Sequence, residues 1–319
     1  MSESVSEFDI FHEGEAAIHE RLGVRESMRD KGSSMISREM SLALQIFYHL
    51  QTFVFVGSVD AEGYPWASII CGGPGFLRSL NSRTLQIGAR PVEGDPLEDN
   101  LRVGAPVGTM TIEFDNRLRR GRVNGVVQSR EGGLLTLSVG QAYSNCSKYI
   151  QQRKPEPPGE EPVRLVSRGA RLTAQQMERI ADADTFFLAS CHFDNVDEPS
   201  QGVDISHRGG NPGFVKVDSD GQLVFPDYKG NMAFNSLGNI VKNPRAGLLF
   251  MDFSEGSTLQ LTGEAVLEWD TPRLKEFPGA QSIVTVRIKE VVELANSVAF
   301  RWSFHKPSSA NPRLDLPRP

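Results

Sequence analysis

Lys229, Asn231, Asn235 and Ser236 fall close together in the stretch FPDYKGNMAFNSLGNIVKNPRAGLLFMDF, residues 225–253. Donors of this kind, placed where a turn runs into a helix, are suited to holding a phosphate. A helix start presents unpaired backbone N–H groups and a partial positive charge, and an anion lowers the energy of both. Upstream, VDISHRGGNPGF adds a short strand before a glycine turn. Strand alternation sends Asp204, Ser206 and Arg208 to one face and Ile205 and His207 to the other. Arg208 could then offer a fork of donors to the same phosphate. The plainer assignment stands beside this one: Asn and Ser near a helix start commonly cap it, surface Lys and Arg are solvated, and the glycines serve turns.

Other chemistry is thinly represented. The chain has no GxGxxG after a strand, no P-loop, no HExxH and no GxSxG, so the common nucleotide, zinc and serine-hydrolase signatures are missing. His192, in CHFD, reads as a core histidine on an apolar strand. Cys146, in AYSNCSKYI, reads as a small buried hydrophobe, with a reactive thiol beside Lys148 as the alternative. RLRRGRVNG, over 117–125, carries Arg117, Arg119, Arg120 and Arg122. Four positive charges could meet a phosphate, but a solvated hairpin edge is the default.

The elements that must position these residues occur twice. TFVFVGSVD and TFFLASCHFD, GGPGF and GGNPGF, NLRVGAPVGTMTIEF and NIVKNPRAGLLFMDF, and RVNGVV and LTGEAV follow one another in the same order. Collinear matches of this kind predict a duplicated domain. Each copy opens with a helix, over 38–51 and 173–184, the second with Thr173 as N-cap and Gln176 completing a capping box. Short strands rich in Val, Ile, Phe and Thr follow, separated by turns such as DAEGYP and DSDG. A short helix comes next, DPLEDNLRV or NMAFNSLGNIVKN, and further strands close each copy. Many short strands and few helices predict a mostly-β fold with flanking helices rather than a doubly wound sheet. The expected divisions are an N-terminal extension over 1–35 with a helix in GEAAIHERLG, a first domain over 36–151, a Pro-rich linker over 152–164, a second domain over 165–305, and a tail over 306–319. NCSKYIQQR reads as a helix closing the first domain.

Length and composition set outer limits. The 319 residues suit two domains, and hydrophobic residues at 39% suffice for real cores. A net charge of −6 argues against a duplex nucleic-acid partner. No apolar run approaches a membrane span, and the start lacks the blocks of a signal peptide. Cys71, Cys146 and Cys191 lie far apart with no CxxC or Cys/His pairing, which speaks against a disulfide framework or zinc site and for the cytoplasm.

The order of strand, glycine–proline turn, strand and then FPDYKGNMAFNSLGNIVKNPRAGLLF resembles the pyridoxamine 5′-phosphate oxidase-like family of FMN-binding split barrels. A helix ending in Asn-Pro-Arg-Ala before an apolar strand is typical of it. The resemblance implies two tandem split barrels of six strands each, with FMN at the interface between barrels. It places Asp204, Ser206, Arg208, Tyr228, Lys229, Asn231, Asn235 and Ser236 around the flavin phosphate and ribityl chain, with the neighbouring barrel covering the ring. The family's Arg-Lys pair after the turn is replaced here by NSLGN, which argues against pyridoxamine phosphate as substrate. In the first copy the same hinge reads GARPVEGDPLEDNLRVG, with Glu93, Asp95, Glu98 and Asp99. Carboxylates there would repel a phosphate, so the second copy is expected to keep the site and the first to form its wall. The expected function is an FMN-dependent oxidoreductase acting on a small molecule, with NAD(P)H or a redox partner protein as donor, as a monomer or homodimer. The alternatives are a flavin carrier or sensor without turnover, and a haem-handling protein with His207 or His192 as axial ligand.

Overall fold

The computed structural model describes residues 10–115, 117–194 and 200–313. Two helices come first, α1 (Glu13–Arg21) and α2 (Arg25–Met35). The first half then runs α3 (Leu42–His49), β1 (Phe53–Val59), β2 (Pro65–Cys71), β3 (Leu77–Asn81), β4 (Thr84–Ile87), α4 (Leu97–Asn100), β5 (Pro106–Ile112), β6 (Arg120–Glu131) and β7 (Leu134–Asn145). Two connecting strands follow, β8 (Gln152–Glu156) and β9 (Arg164–Gly169). The second half repeats the series as α5 (Ala174–Asp182), β10 (Thr185–His192), β11 (Gly202–Gly209), β12 (Lys216–Val217), β13 (Leu223–Tyr228), α6 (Asn235–Lys242), β14 (Arg245–Met251), β15 (Thr258–Glu268) and β16 (Ala280–Ala295), and β17 (Arg301–Lys306) closes it.

The local reasons are those of short strands and side-chain-capped turns. Asp60 accepts from the backbone N–H of Glu62 and Tyr64, both at 2.9 Å, and Asp218 accepts likewise from Asp220 and Gln222 at 3.0 Å. Each carboxylate closes its turn by satisfying amides the ladder cannot reach. Thr173 and Gln176 form the expected capping box of α5.

Both sheets are antiparallel and have one strand order. The first runs β2-β1-β5-β6-β7-β4-β3 and the second β11-β10-β14-β15-β16-β13-β12, with β9 added on β16. Each path therefore holds seven strands, one more than the resemblance implies, because a short hairpin partner (β3 or β12) extends its far end. Val54, Ile70, Leu77, Leu85, Val107, Val123 and Leu137, one from each strand of the first sheet, share a single buried cluster. A sheet whose strands all face one core must roll around it, and since β2 does not pair with β3 the roll stays split. Phe186, Leu223, Phe225, Leu248, Leu261 and Val284 do the same in the second half.

A third core joins the halves. Phe53, Phe55, Ile69, Met110, Phe187, Ile205, Leu249 and Trp302 pack on the outer faces of both sheets, and Phe55 stacks on Phe187 with ring centroids 3.5 Å apart. The contact is reciprocal: β11 lies on β5 and β6, and β2 lies on β14 and β15. The segment expected to be a linker takes part, since β8 pairs with β17 and puts Pro155 opposite Trp302. NCSKYIQQR is not helical; it turns through Tyr149 at φ 67° into β8, because pairing with β17 outweighs its local propensity. Residues 1–9 of the extension and 314–319 of the tail lie outside the described residues. Among the described residues no helix is long and apolar enough to cross a membrane.

Candidate functional site

A cavity of about 100 Å³ lies where β11, the end of β13 and the start of α6 meet β6 and the residues after β7. Both halves line it: Arg120, Arg122, Cys146 and Tyr149 from the first, and Ser206, His207, Arg208, Tyr228, Asn235 and Ser236 from the second. Arginines that converge from two sheets repel one another unless something anionic answers them. Arg208 is answered by Asp227, whose Oδ1 accepts from Nη1 at 2.6 Å. Arg122 is answered by Asp204 at 3.0 Å. Burial alone would lower the Arg122 pKa, but Asp204 and Tyr143 outweigh it and hold it raised.

Among the described residues Arg120 has no carboxylate in hydrogen-bond or ion-pair contact. Its Nη1 lies 3.0 Å from Nδ1 of His207, and its Nη2 lies 3.7 Å from the Cys146 sulfur. Burial, followed by the charge of Arg122 and then of Arg208, pushes its pKa down to about 10. A guanidinium can only donate, so His207 Nδ1 must accept, which leaves the imidazole neutral with its proton on Nε2. The same conclusion follows from its pKa, lowered well below the ordinary value by burial and then by Arg120. His207 Nε2 and the Nε atoms of Arg120, Arg122 and Arg208 are buried without a protein acceptor. Three arginines and a neutral histidine around one cavity, with Asp227 as the one carboxylate among its described lining residues, suit an anion.

The eight residues expected around a phosphate separate into three groups. Ser206, Arg208, Tyr228, Asn231, Asn235 and Ser236 line the cavity together. Lys229 is exposed outside it, and only its carbonyl takes part, accepting from Tyr149 Oη at 3.1 Å. Asp204 stands behind the wall with its oxygens taken: Oδ2 accepts from Arg122 at 3.0 Å and Ser236 at 3.2 Å, and Oδ1 from Asn124 at 3.0 Å and Tyr143 at 2.9 Å. It fastens β11 to the first half and has nothing left for a ligand. Ser236 Oγ also lies 2.8 Å from Ser206 Oγ, with Ser206 as acceptor, tying β11 to the first turn of α6.

Arg120 and Arg122 are the residues the solvated-hairpin assignment missed. Alternation was the available signal: within RLRRGRVNG these two share one strand face, while Arg119 takes the other and pairs with Glu113 at 2.8 Å. Cys146 is half-buried in the cavity wall rather than a core residue. His192 is buried as expected, packed against the His12 ring at 4.7 Å.

The matching place on the other side of the interface is filled. Phe55 pairs with Ile69 as Phe187 pairs with His207, and Met110 pairs with Arg122 as Leu249 pairs with Gln260. In that register Trp66 takes the place of Asp204, Ile69 of His207, Ile70 of Arg208, Gln260 of Arg122 and Thr258 of Arg120. Gln260 donates to Ser68 at 2.9 Å, and Trp66 packs with Val292 and Leu294. Asp95 is buried there, with Ser68 donating to it at 2.6 Å. Every cation of the cavity has a neutral counterpart, so only one of the two related places is built for an anion. The frame around them is otherwise held alike: Asn100 donates to Ser58 at 3.0 Å and Asn239 to Ser190 at 3.1 Å.

Two split, rolled antiparallel sheets packed back to back, with a cation-lined cleft at their seam, make up the described architecture. Residues 172–305 match the family model for pyridoxamine 5′-phosphate oxidase. No curated protein matches the chain. Among solved structures, HupZ of Group A Streptococcus is 9% identical, with the match covering 38% of this chain and 99% of that one at a TM-score of 0.30. A FAD-binding protein from Mesorhizobium loti is 13% identical over 42% of this chain and 97% of that one, with a TM-score of 0.28. A Corynebacterium diphtheriae protein of unknown function is 16% identical over 42% and 98%, with a TM-score of 0.29.

Proposed function

We propose that the chain is a flavin-binding oxidoreductase that holds FMN by its phosphate in the cavity between the halves. The observation that carries this reading is the convergence of Arg120, Arg122 and Arg208 from both halves on one cavity whose described lining holds a single carboxylate, Asp227. The cavity of about 100 Å³ has room for a phosphate, so these residues would account for the phosphate end. Arg208 and Arg120 would neutralise the dianion, while Ser206 and the first-turn amides of α6 would donate to its remaining oxygens. The mouth is bounded by Tyr149 and Tyr228, stacked with ring centroids 5.4 Å apart. Their faces would limit water at the ring end of the ligand.

A flavin held there supplies two-electron redox chemistry to a small organic substrate. The protein's own contribution is binding and orientation, since His207 Nδ1 is taken by Arg120 and Asp227, the carboxylate in the described wall, is paired with Arg208. NAD(P)H or a redox protein would serve as donor. One chain supplies both walls, so the site does not require a second copy.

Titration of the purified protein with FMN, followed by flavin fluorescence, tests this. Arg120→Ala and Arg208→Ala should each weaken binding by roughly tenfold or more, as expected for loss of a charge-assisted bond. Lys229→Ala should leave binding unchanged. Failure to bind FMN or FAD at micromolar concentration would end the reading. A Soret band in the purified protein would favour the haem alternative, and bleaching by NAD(P)H would separate an enzyme from a carrier.

A further inference from the structure

The loop Asn231–Phe234 forms part of the cavity wall, and its backbone is strained. Met232 and Phe234 adopt φ of 67° and 59°, left-handed values that cost energy for residues with a side chain. Phe234 is also the N-cap of α6 and supplies no side-chain cap. At the corresponding hinge of the first half the left-handed position is a glycine, Gly94 at φ 87°. Something must hold the second loop in place.

The N-terminal segment does so from outside the cavity. His19 is fully buried and its Nε2 donates to the Met232 carbonyl at 2.8 Å, since a carbonyl can only accept. The His19 ring also lies 5.9 Å from Phe234 and is backed by the edge of Phe11 at 4.9 Å. Ala233, between the two strained residues, packs with Phe11, Met28 and Ile36. Behind the loop, Gly14 lies so close to the Gly238 carbonyl that a Cβ would sit 2.1 Å from it, and His12 bonds Asn239 at 2.9 Å. None of these N-terminal residues lines the cavity; Met232, Phe234 and Asn235 do.

We infer that His19 is a positioning residue for the anion site: it fixes the strained loop and thereby the donors at the start of α6. The inference rests on the flavin reading for its ligand but not for its geometry, and two measurements keep them apart. Hydrogen exchange on the ligand-free full chain reads the loop directly. His19→Ala should speed exchange of amides 231–238 while β13 and β14 stay protected, and His19→Gln, which keeps a donor at nearly the same reach, should restore protection. FMN titration then reads the consequence: His19→Ala should weaken binding about tenfold and His19→Gln should recover to within about threefold. Unchanged exchange in His19→Ala overturns the inference, as does unchanged affinity in a protein whose wild type binds FMN. Wild-type protein that takes no FMN removes the flavin reading, and the exchange result then decides the inference alone.

Discussion

Asp204 shows how a residue chosen for one role can be claimed by another. Alternation correctly put it on the face shared with Ser206, yet a carboxylate that already accepts from Arg122, Asn124, Tyr143 and Ser236 is an anchor. Asp204→Asn would keep its volume while leaving Arg122 buried without its counter-charge. The expected cost is about 3 kcal/mol, measured by chemical denaturation, because breaking a buried pair costs more than never forming it. Arg120 is the opposite case, a charge the fold leaves without a carboxylate. Its substitution should weaken FMN binding with no loss of melting temperature, the pattern of a residue kept for a ligand rather than for stability.

At the level of elements, the N-terminal helix α1 is held to α6 through an ionisable contact. Glu15 is buried, pushed up to about 7 by desolvation, and His12 lies 3.0 Å from it. His12 Nδ1 accepts from the Gly14 N–H at 3.0 Å, which leaves its ring neutral with the proton on Nε2, beside Glu15. Glu15 holds a proton in the folded state that it would release on unfolding at neutral pH. Its contribution is therefore full at low pH and lost as pH rises toward and through about 7. His192, lowered by burial and then by His12, works in the other direction, and Lys242, Glu13 and Asp194 also face the cluster. The expected net effect is that α1 is held more tightly at pH 5.5 than at pH 8, by about 2 kcal/mol at most. Hydrogen exchange of residues 13–21, corrected for intrinsic rates, measures it. Glu15→Gln should flatten the profile, and an unchanged slope would rule out Glu15 as its source.

For the whole molecule, the close approach of the two sheets is the controlling feature. A Cβ on Gly108 would lie 2.6 Å from the Val203 carbonyl oxygen, and one on Gly247 2.4 Å from that of Pro65. Both neighbours are backbone and cannot swing aside. Gly108→Ala and Gly247→Ala should each cost about 1–3 kcal/mol in denaturation experiments and should loosen the seam on which the cavity depends. These glycines occupy matching registers, so both pairs of crossed strands meet through the same device.

Much of this frame was legible in the chain because its cause is local. Alternating apolar residues, capped helices and turn carboxylates repeat in order, and the two sheets repeat in the same order. The start of α6 and the strand holding Ser206 and Arg208 were legible for the same reason. What local pattern could not tell was which side chains cross the seam: that Arg120 and Arg122 from one sheet would face His207 and Arg208 from the other, that Asp204 would be spent on joining them, or that Lys229 would point away. Nor could it show that His19, over two hundred residues distant in sequence, holds the Met232 carbonyl. Those facts belong to the tertiary structure, because an arginine's environment, solvent or a buried anion site, is set by the surface packed against it and not by its neighbours along the chain.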